Sequence, residues 1–421
     1  MNKHNAFFHW VMLFFITLLY FFANMQKVLV PGATFNEIQQ IFSLDAASVT
    51  GTGAYFLYVY AAAQIIIGIL ADRFSGVRVI IVGGMLFSIG SVMSALTISF
   101  PLLCFSRCLT GLGAATIYLS MAKEFAQVAG NGLAFYLGIA VIIGYAGAVT
   151  GSFPFISGVS LFGYEKMMWA AGIFTFAVYI GFLLAASKNK LPTICTETKL
   201  NLLSFFTVFK KRHNIFLMLT FGINFGTYFA LQSVIGKKFL EDFCRMSSNS
   251  AGVIMTVTVI IAALNGFMVA VLSRLAGNRR KIFILFSSWG TLASILIIFI
   301  AILSEAAQPF FLVFAFILLA FAGNVSPVAI ALVKETNDEN CFGTILSINN
   351  GFAYAVTAIV VNVMGKLMNI YPPETISGVK IYSNASYALA FGALLLLVSV
   401  SAVSVFFLKE SFGKNIVDNV Y

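Results

Sequence analysis

Charge is what this chain has least of. Only 10% of its 421 residues are Asp, Glu, Lys or Arg, against about 25% in soluble domains. The 15 acidic residues stand beside 45 Phe, and no water-exposed surface can be built from that inventory, which excludes a soluble enzyme. Histidine is nearly absent: His4, His9 and His213 are the only three, all at ends of apolar runs expected to face inside. No Ser/His/Asp set, HExxH, phosphate loop or metal-ligand cluster occurs, so neither catalysis nor a cofactor is expected. The five cysteines (Cys104, Cys108, Cys195, Cys244, Cys341) lack CxxC spacing and are odd in number. Only Cys244 falls in a loop expected outside, so no disulfide framework is expected. The N-terminus has no cleavage-site pattern, and the run Phe7 to Val30 exceeds a signal-peptide core, so it reads as a first transmembrane helix.

What is present is apolar: 60% of residues are hydrophobic and mean hydropathy is +0.97. That composition is one of an integral membrane protein, with the lipid bilayer as its solvent. A window of about 19 residues finds twelve spans, near 8–30, 50–71, 79–98, 102–122, 132–154, 168–186, 214–236, 250–272, 282–303, 309–332, 343–365 and 386–408. Barrel strands would be about half that length, so a helical bundle is the architecture that fits. The expected fold is all-α, with twelve transmembrane helices.

Net charge is +10. The basic residues are scattered between spans and form no stripe, which argues against nucleic acid as a partner. They instead set orientation. Most Lys and Arg gather in Lys3, the 73–78 turn, the 188–212 segment, the 274–281 turn and the tail from Lys409, which favours both termini inside. All acidic residues fall in the expected loops and none mid-span, Glu124 being placed inside and Glu241 and Asp242 outside. A cavity between such helices is expected to be electropositive, which suits a substrate carrying carboxylate or phosphate.

The segment 187–213 joins spans six and seven. It is polar to Lys199, then amphipathic through Leu202, Leu203, Phe205, Phe206 and Phe209, and ends on Lys210-Lys211-Arg212. A helix lying on the inner membrane surface is expected there. It divides the chain into halves at 1–186 and 214–421, each of six spans. A repeated turn supports that division. After span two comes Gly68-Ile-Leu-Ala-Asp72-Arg73-Phe-Ser-Gly76-Val-Arg78, and after span eight Ser273-Arg274-Leu-Ala-Gly277-Asn-Arg279. Both carry Arg-x-x-Gly-x-Arg, and repeated halves with a linker mark a rocker-type secondary transporter.

These residues carry a family resemblance. Gly68 to Arg78 resembles the loop 2–3 signature of the major facilitator superfamily, and Arg107-Cys-Leu-Thr-Gly111-Leu-Gly113 resembles its fourth-helix pattern. With twelve spans and a central loop, the match covers essentially the whole chain. It implies alternating access between two six-helix halves, acting as a monomer in a bacterial-type cell inner membrane. Phe42 to Ser48, Tyr60 to Gln64 and Gly144 to Pro154 resemble a nutrient-uptake clade close to amino-acid importers of intracellular pathogens. Two departures stand out: Ser273 where the second turn would carry its acid, and no Gly-Pro in the fifth helix, which lowers the case for multidrug efflux.

By the resemblance, Gly68, Asp72, Arg73, Gly76 and Arg78 form an inside gate. A carboxylate at Asp72 can pair with a guanidinium and a helix N-terminus, while the glycines permit close approach. Ionisable groups within spans point to the substrate. Tyr20, Asn24 and Lys27 share a face of span one, and Arg107 lies in span four with Gly111 and Tyr118. Lys27 and Arg107 are the expected contacts for an anionic group. The competing readings are that Lys27 snorkels to the outer interface and that Arg107 pins backbone carbonyls of adjacent helices. Tyr60, Gln64, Asn224, Tyr228 and Asn350 join Tyr20 and Asn24 as neutral liners, with interhelical hydrogen bonding as the alternative for each. The expected activity is import of a small polar, anionic or zwitterionic solute such as an amino acid or organic acid, by symport with a proton or other ion. An exporter of lipophilic compounds is the rival reading, followed by a transporter-like sensor.

Overall fold

The computed structural model describes residues 3–73, 75–96, 99–129, 132–189, 209, 211–338 and 342–417, with backbone alone at 3–6, 65, 68–73, 134 and 342. The chain separates into two compact units, Met1–Thr34 with Tyr55–Leu200, and Phe35–Ala54 with Asn201–Tyr421. Eleven helices, counted among the described residues, are long and apolar enough to cross a membrane. The 28-residue helix Ala46–Arg73 lies where the second span is expected. A helix of that length reaches about 42 Å, more than a hydrocarbon core of about 30 Å.

The first unit contains α1 (Lys3–Val28), the greater part of α3 (Ala46–Arg73), α4 (Gly76–Met93), α5 (Phe100–Val128), α6 (Leu133–Thr150), α7 (Phe153–Phe162) and α8 (Tyr164–Ser187). Long apolar runs with few breakers make these helices, and polar residues start them: Ser75 Oγ accepts the Arg78 amide at 3.3 Å and Ser99 Oγ that of Leu102 at 3.4 Å. Small residues bring α4 and α5 into direct backbone contact. A methyl added at Gly113 would fall on the carbonyl of Gly83 and the backbone of Phe87, and this kind of approach substitutes for a hydrophobic drive between helices in lipid. α1 packs on α6 and α8, and the Tyr179 hydroxyl donates to the Ile81 carbonyl at 2.7 Å, tying α8 to α4.

The second unit holds α2 (Phe35–Phe42), the start of α3, α9 (Arg212–Ala230), α10 (Gly236–Cys244), α11 (Ser248–Leu275), α12 (Lys281–Leu303), α13 (Pro309–Gly323), α14 (Ser326–Thr336), α15 (Phe342–Met368) and α16 (Asn384–Ser404). Leu217, Val269, Ile284, Val328, Leu332 and Val405 form part of its core. A hairpin, β1 (Glu374–Ile376) with β2 (Val379–Ile381), was not expected from the sequence. Its two-residue turn has Ser377 and Gly378 both at positive φ, 51° and 81°, the turn that matches strand twist. Gln39 of α2 binds it with both ends of its amide, accepting from Lys380 N at 3.0 Å and donating to the Tyr382 hydroxyl at 3.1 Å.

The opening helix of each half is interrupted by a widened turn: Leu29–Ala33 follows α1, and Leu231–Ile235 links α9 to α10. In the first, Val30 leaves helical geometry (φ −120°, ψ 114°) ahead of Pro31. Several helices also run past their apolar cores. α5 continues to Val128 and so carries Glu124, and α10 continues to Cys244 and so carries Lys237, Lys238, Glu241 and Asp242. The expectation that these acidic residues fall in loops is therefore corrected: Glu124 and Asp242 lie on helices and are both buried. His9 and His213 are likewise buried, although near helix ends as expected. Cys244 closes a helix instead of lying in a loop, and Cys104, Cys108 and Cys244 are free thiols. The expected surface helix of the linker, with Cys195, lies outside the described residues, as does Cys341.

Candidate functional site

The two cations expected in the first unit sit on one aromatic ladder. Phe56 and Tyr60, four residues apart on α3, stack at 6.0 Å between ring centroids and 13° between planes. The Lys27 ammonium lies over the Tyr60 ring at 4.4 Å, and the Arg107 guanidinium over Phe56 at 4.6 Å. Each face of an aromatic ring carries partial negative charge, so a desolvated cation there gains about 2 kcal/mol. Arg107 is wholly buried and Lys27 is 6% exposed, so Lys27 does not reach the interface by snorkelling.

Arg107 also answers the break in helix one. Its Nη2 donates to the Gln26 carbonyl at 3.2 Å and the Val30 carbonyl at 2.9 Å. Loss of helical geometry at Val30 frees carbonyls that must find donors in a dry interior. The pin reading of Arg107 is thus present in the geometry. It engages one of three guanidinium nitrogens; Nε and Nη1 are buried with no hydrogen-bond partner.

The neutral residues divide. Tyr20 is half-buried, lies 5.3 Å from the Tyr118 ring, and with Asn24 fills the space that a side chain at Gly144 would need. Asn24 donates to its own helix at Tyr20 O, 2.9 Å, and Gln64 reaches Ala115 O at 3.4 Å. These residues keep the first unit's polar groups on α1, α3, α5 and α6. In the second unit, Asn224 is taken up by packing: its amide donates to Ser287 at 3.1 Å and Ser288 at 3.0 Å, and accepts from Ser401 at 2.8 Å. That serine cluster joins α9, α12 and α16, which is the glue reading. Tyr228 lies against Gly323 with its hydroxyl 3.4 Å from Thr258 O, and Asn350 is half-buried on α15.

Of the gate, Gly68, Asp72 and Arg73 are helical in backbone, and the side chains of Asp72 and Arg73 lie outside what is described. Gly76 opens α4 against α5, where a methyl would strike Glu124 and the Ser120 carbonyl. Glu124 accepts the Val77 amide at 3.1 Å, capping α4, with His9 Nε2 3.9 Å away and Gln127 donating at 3.2 Å. Arg78 is exposed.

Sequence reasoning missed three features. Phe56 gives no signal in a chain of 45 Phe, and Gln26 is off the face shared by Tyr20, Asn24 and Lys27. The third is the pair Lys237–Glu241 at 3.0 Å and Lys238–Asp242 at 2.9 Å, buried on α10. Their i, i+4 spacing was the available signal. Asp242 also accepts from the Tyr387 hydroxyl at 2.9 Å and Tyr382 N at 3.1 Å. An apolar recess is lined by Ile89, Val92, Met93, Ile173 and Phe176, none of them a group named above. No group of metal-ligating residues occurs among the described residues.

Comparison with curated proteins found no match. Among solved structures, a mutant of the nucleoside transporter NupG is similar over 94% of this chain and 98% of its own, with TM-score 0.69 at 18% identity. A bacterial homolog of the human lysosomal transporter Spinster, inward-facing and unoccupied, is similar over 100% and 99%, with TM-score 0.70 at 15% identity. At such identities the likeness speaks for the fold. The family model of the Major Facilitator Superfamily matches residues 12–360, and the chain belongs to that superfamily of membrane transporters.

Proposed function

We propose that the protein imports a small polar solute carrying an anionic group, an amino acid or organic acid, across a bacterial-type inner membrane by alternating access. The observation that carries this reading is the ladder of Lys27, Tyr60, Phe56 and Arg107, which buries two cations on rings. Ring faces stabilise a cation without cancelling its charge, so the interior stays attractive to an anion. Lys27 and Arg107 are its charged contacts. Tyr20, Asn24, Tyr60 and Gln64 are its neutral contacts, while Asn224 is assigned to packing. Gly68, Asp72, Arg73, Gly76 and Arg78 act as the gate on the cytoplasmic side, where both termini lie. Symport with a proton or another ion is the proposed coupling, and the working unit is a monomer.

The test is thermal stabilisation of purified protein by amino acids, carboxylates, phosphate esters, nucleosides and hydrophobic cations. A solute at 100 times its Kd adds about 2.7 kcal/mol to the folded state. An anionic or zwitterionic metabolite is expected to stabilise the wild type and to lose that effect in Lys27→Ala. The stack of Phe221, Phe225 and Phe229, with Tyr354 edge-on to the last two, favours the rival export of lipophilic compounds. Stabilisation by hydrophobic cations alone would establish that rival and remove the anion site.

A further inference from the structure

Two fully buried polar residues of the first unit, Arg107 and Gln26, are joined at the broken helix through the Gln26 main-chain carbonyl. Arg107 turns Nη2 to the carbonyls of Gln26 and Val30, and its remaining nitrogens, Nε and Nη1, have no hydrogen-bond partner. Gln26 is 0% exposed, and both Nε2 and Oε1 of its side chain are also unpartnered. Among the described residues, no carboxylate stands at ion-pair distance from Arg107. Phe56 covers one face of the guanidinium but supplies no acceptor in its plane.

Such a group is costly twice over, once for uncompensated charge and once for unmet donors. Buried charges in proteins are paired, and donors in a dry interior find acceptors. Gln26 departs from α1 about 100° round the axis from Lys27. Its amide stands on the residue whose own main-chain carbonyl Arg107 holds.

We propose that Arg107 and Gln26 form a two-residue anion site, the guanidinium supplying the charge and the Gln26 amide a further donor. Its occupant is a single small anionic group, either the carboxylate of the transported solute or a small inorganic anion. This rests on the reading of Arg107 as an anion contact and adds Gln26 as the residue that completes it. The Gln26 side-chain oxygen Oε1, left over as an acceptor, suits a solute that carries an N–H donor beside its carboxylate.

The experiment follows thermal unfolding of the full chain in detergent, in an isethionate background at constant ionic strength, titrated with formate or with chloride. Wild type is expected to gain on the order of 5 °C, saturably. Gln26→Leu, close in volume and without the amide, is expected to weaken the apparent affinity about tenfold, one lost hydrogen bond to a charged group. Gln26→Glu places a carboxylate beside Arg107 and is expected to start at a higher melting temperature and to ignore added anion. A response to formate alone assigns the site to the solute's carboxylate; a response to chloride as well assigns it to an inorganic anion. Wild type indifferent to both anions, or both Gln26 variants responding as wild type does, would overturn the site. Metabolite binding that persists unchanged in Gln26→Leu removes Gln26 and leaves the transport reading intact. A formate response without any binding of anionic metabolites keeps the site and removes the transport reading.

Discussion

The two basic turns are built from one pattern and met by carboxylates in two ways. In the first unit, the turn into α4 is met by a carboxylate from the end of α5: Glu124 accepts the Val77 amide and abuts Gly76. In the second, Ser273 stands where the first turn has Asp72, and the carboxylates come from further away. Glu335, at the end of α14, takes Arg280 in a fork, with Nη2 at 2.8 Å and Nε at 3.2 and 3.3 Å. Ser273 receives Nη1 of the same guanidinium at 2.9 Å. Glu410, beyond α16, caps α12 by accepting the Arg280 and Lys281 amides at 2.7 and 2.9 Å. Glu124 and Glu335 close the corresponding fourth span of each half. The repeat therefore preserves a requirement, a carboxylate at the helix start that follows the turn, and not the residue that meets it.

The comparison can be broken by removing each carboxylate in turn. Glu335→Ala is expected to cost most, about 3 kcal/mol, because it leaves a guanidinium 13% exposed with its fork empty. Chemical unfolding in mixed micelles measures it, and Ser273→Asp in the same background should recover part of the loss by returning an acid to the turn. Glu124→Ala comes next, at about 2 kcal/mol, since it strands the Val77 amide in a buried position. Glu124→Gln keeps an acceptor and should remain within about 1 kcal/mol of wild type. If Glu124→Gln were as damaging as Glu124→Ala, the cap would depend on charge and the two turns would differ less than their geometry indicates. Glu410→Ala is smallest, about 1 kcal/mol, the ordinary loss of a helix cap. The same unfolding series reads it, and a loss equal to that of Glu335→Ala would reverse the ranking.

Much of this was legible in the sequence, and the rest was hidden for identifiable reasons. Apolar runs located the spanning helices, and the rarity of intramembrane charge singled out Lys27 and Arg107. Helix ends were less visible because a hydropathy window stops at the first charges. It ended span four before Glu124 and span seven before Lys237, although i, i+4 pairing lets α10 carry four charged groups in its buried turns. Ser377-Gly378 between Thr375-Ile376 and Val379-Lys380 was a hairpin signal, but its strands are only three residues long, shorter than the runs by which a strand is recognised in sequence. Asn224 looked like a cavity liner because an amide in a span has two uses, and its sequence does not say which serines surround it. The neutral contacts proposed for the solute share that ambiguity, and variants at Tyr20 and Gln64 extend the binding test to them.

The cap supplied by Glu410 has a consequence for the order of assembly. It closes a helix start laid down 130 residues earlier in the chain. During synthesis, α12 can enter the membrane long before its acceptor leaves the ribosome, so the second unit is threaded before it is fastened. The segment after α16, where Ser411 binds Glu335 and the Ile416 amide reaches the Glu335 carbonyl at 2.8 Å, is thus the clasp of that unit.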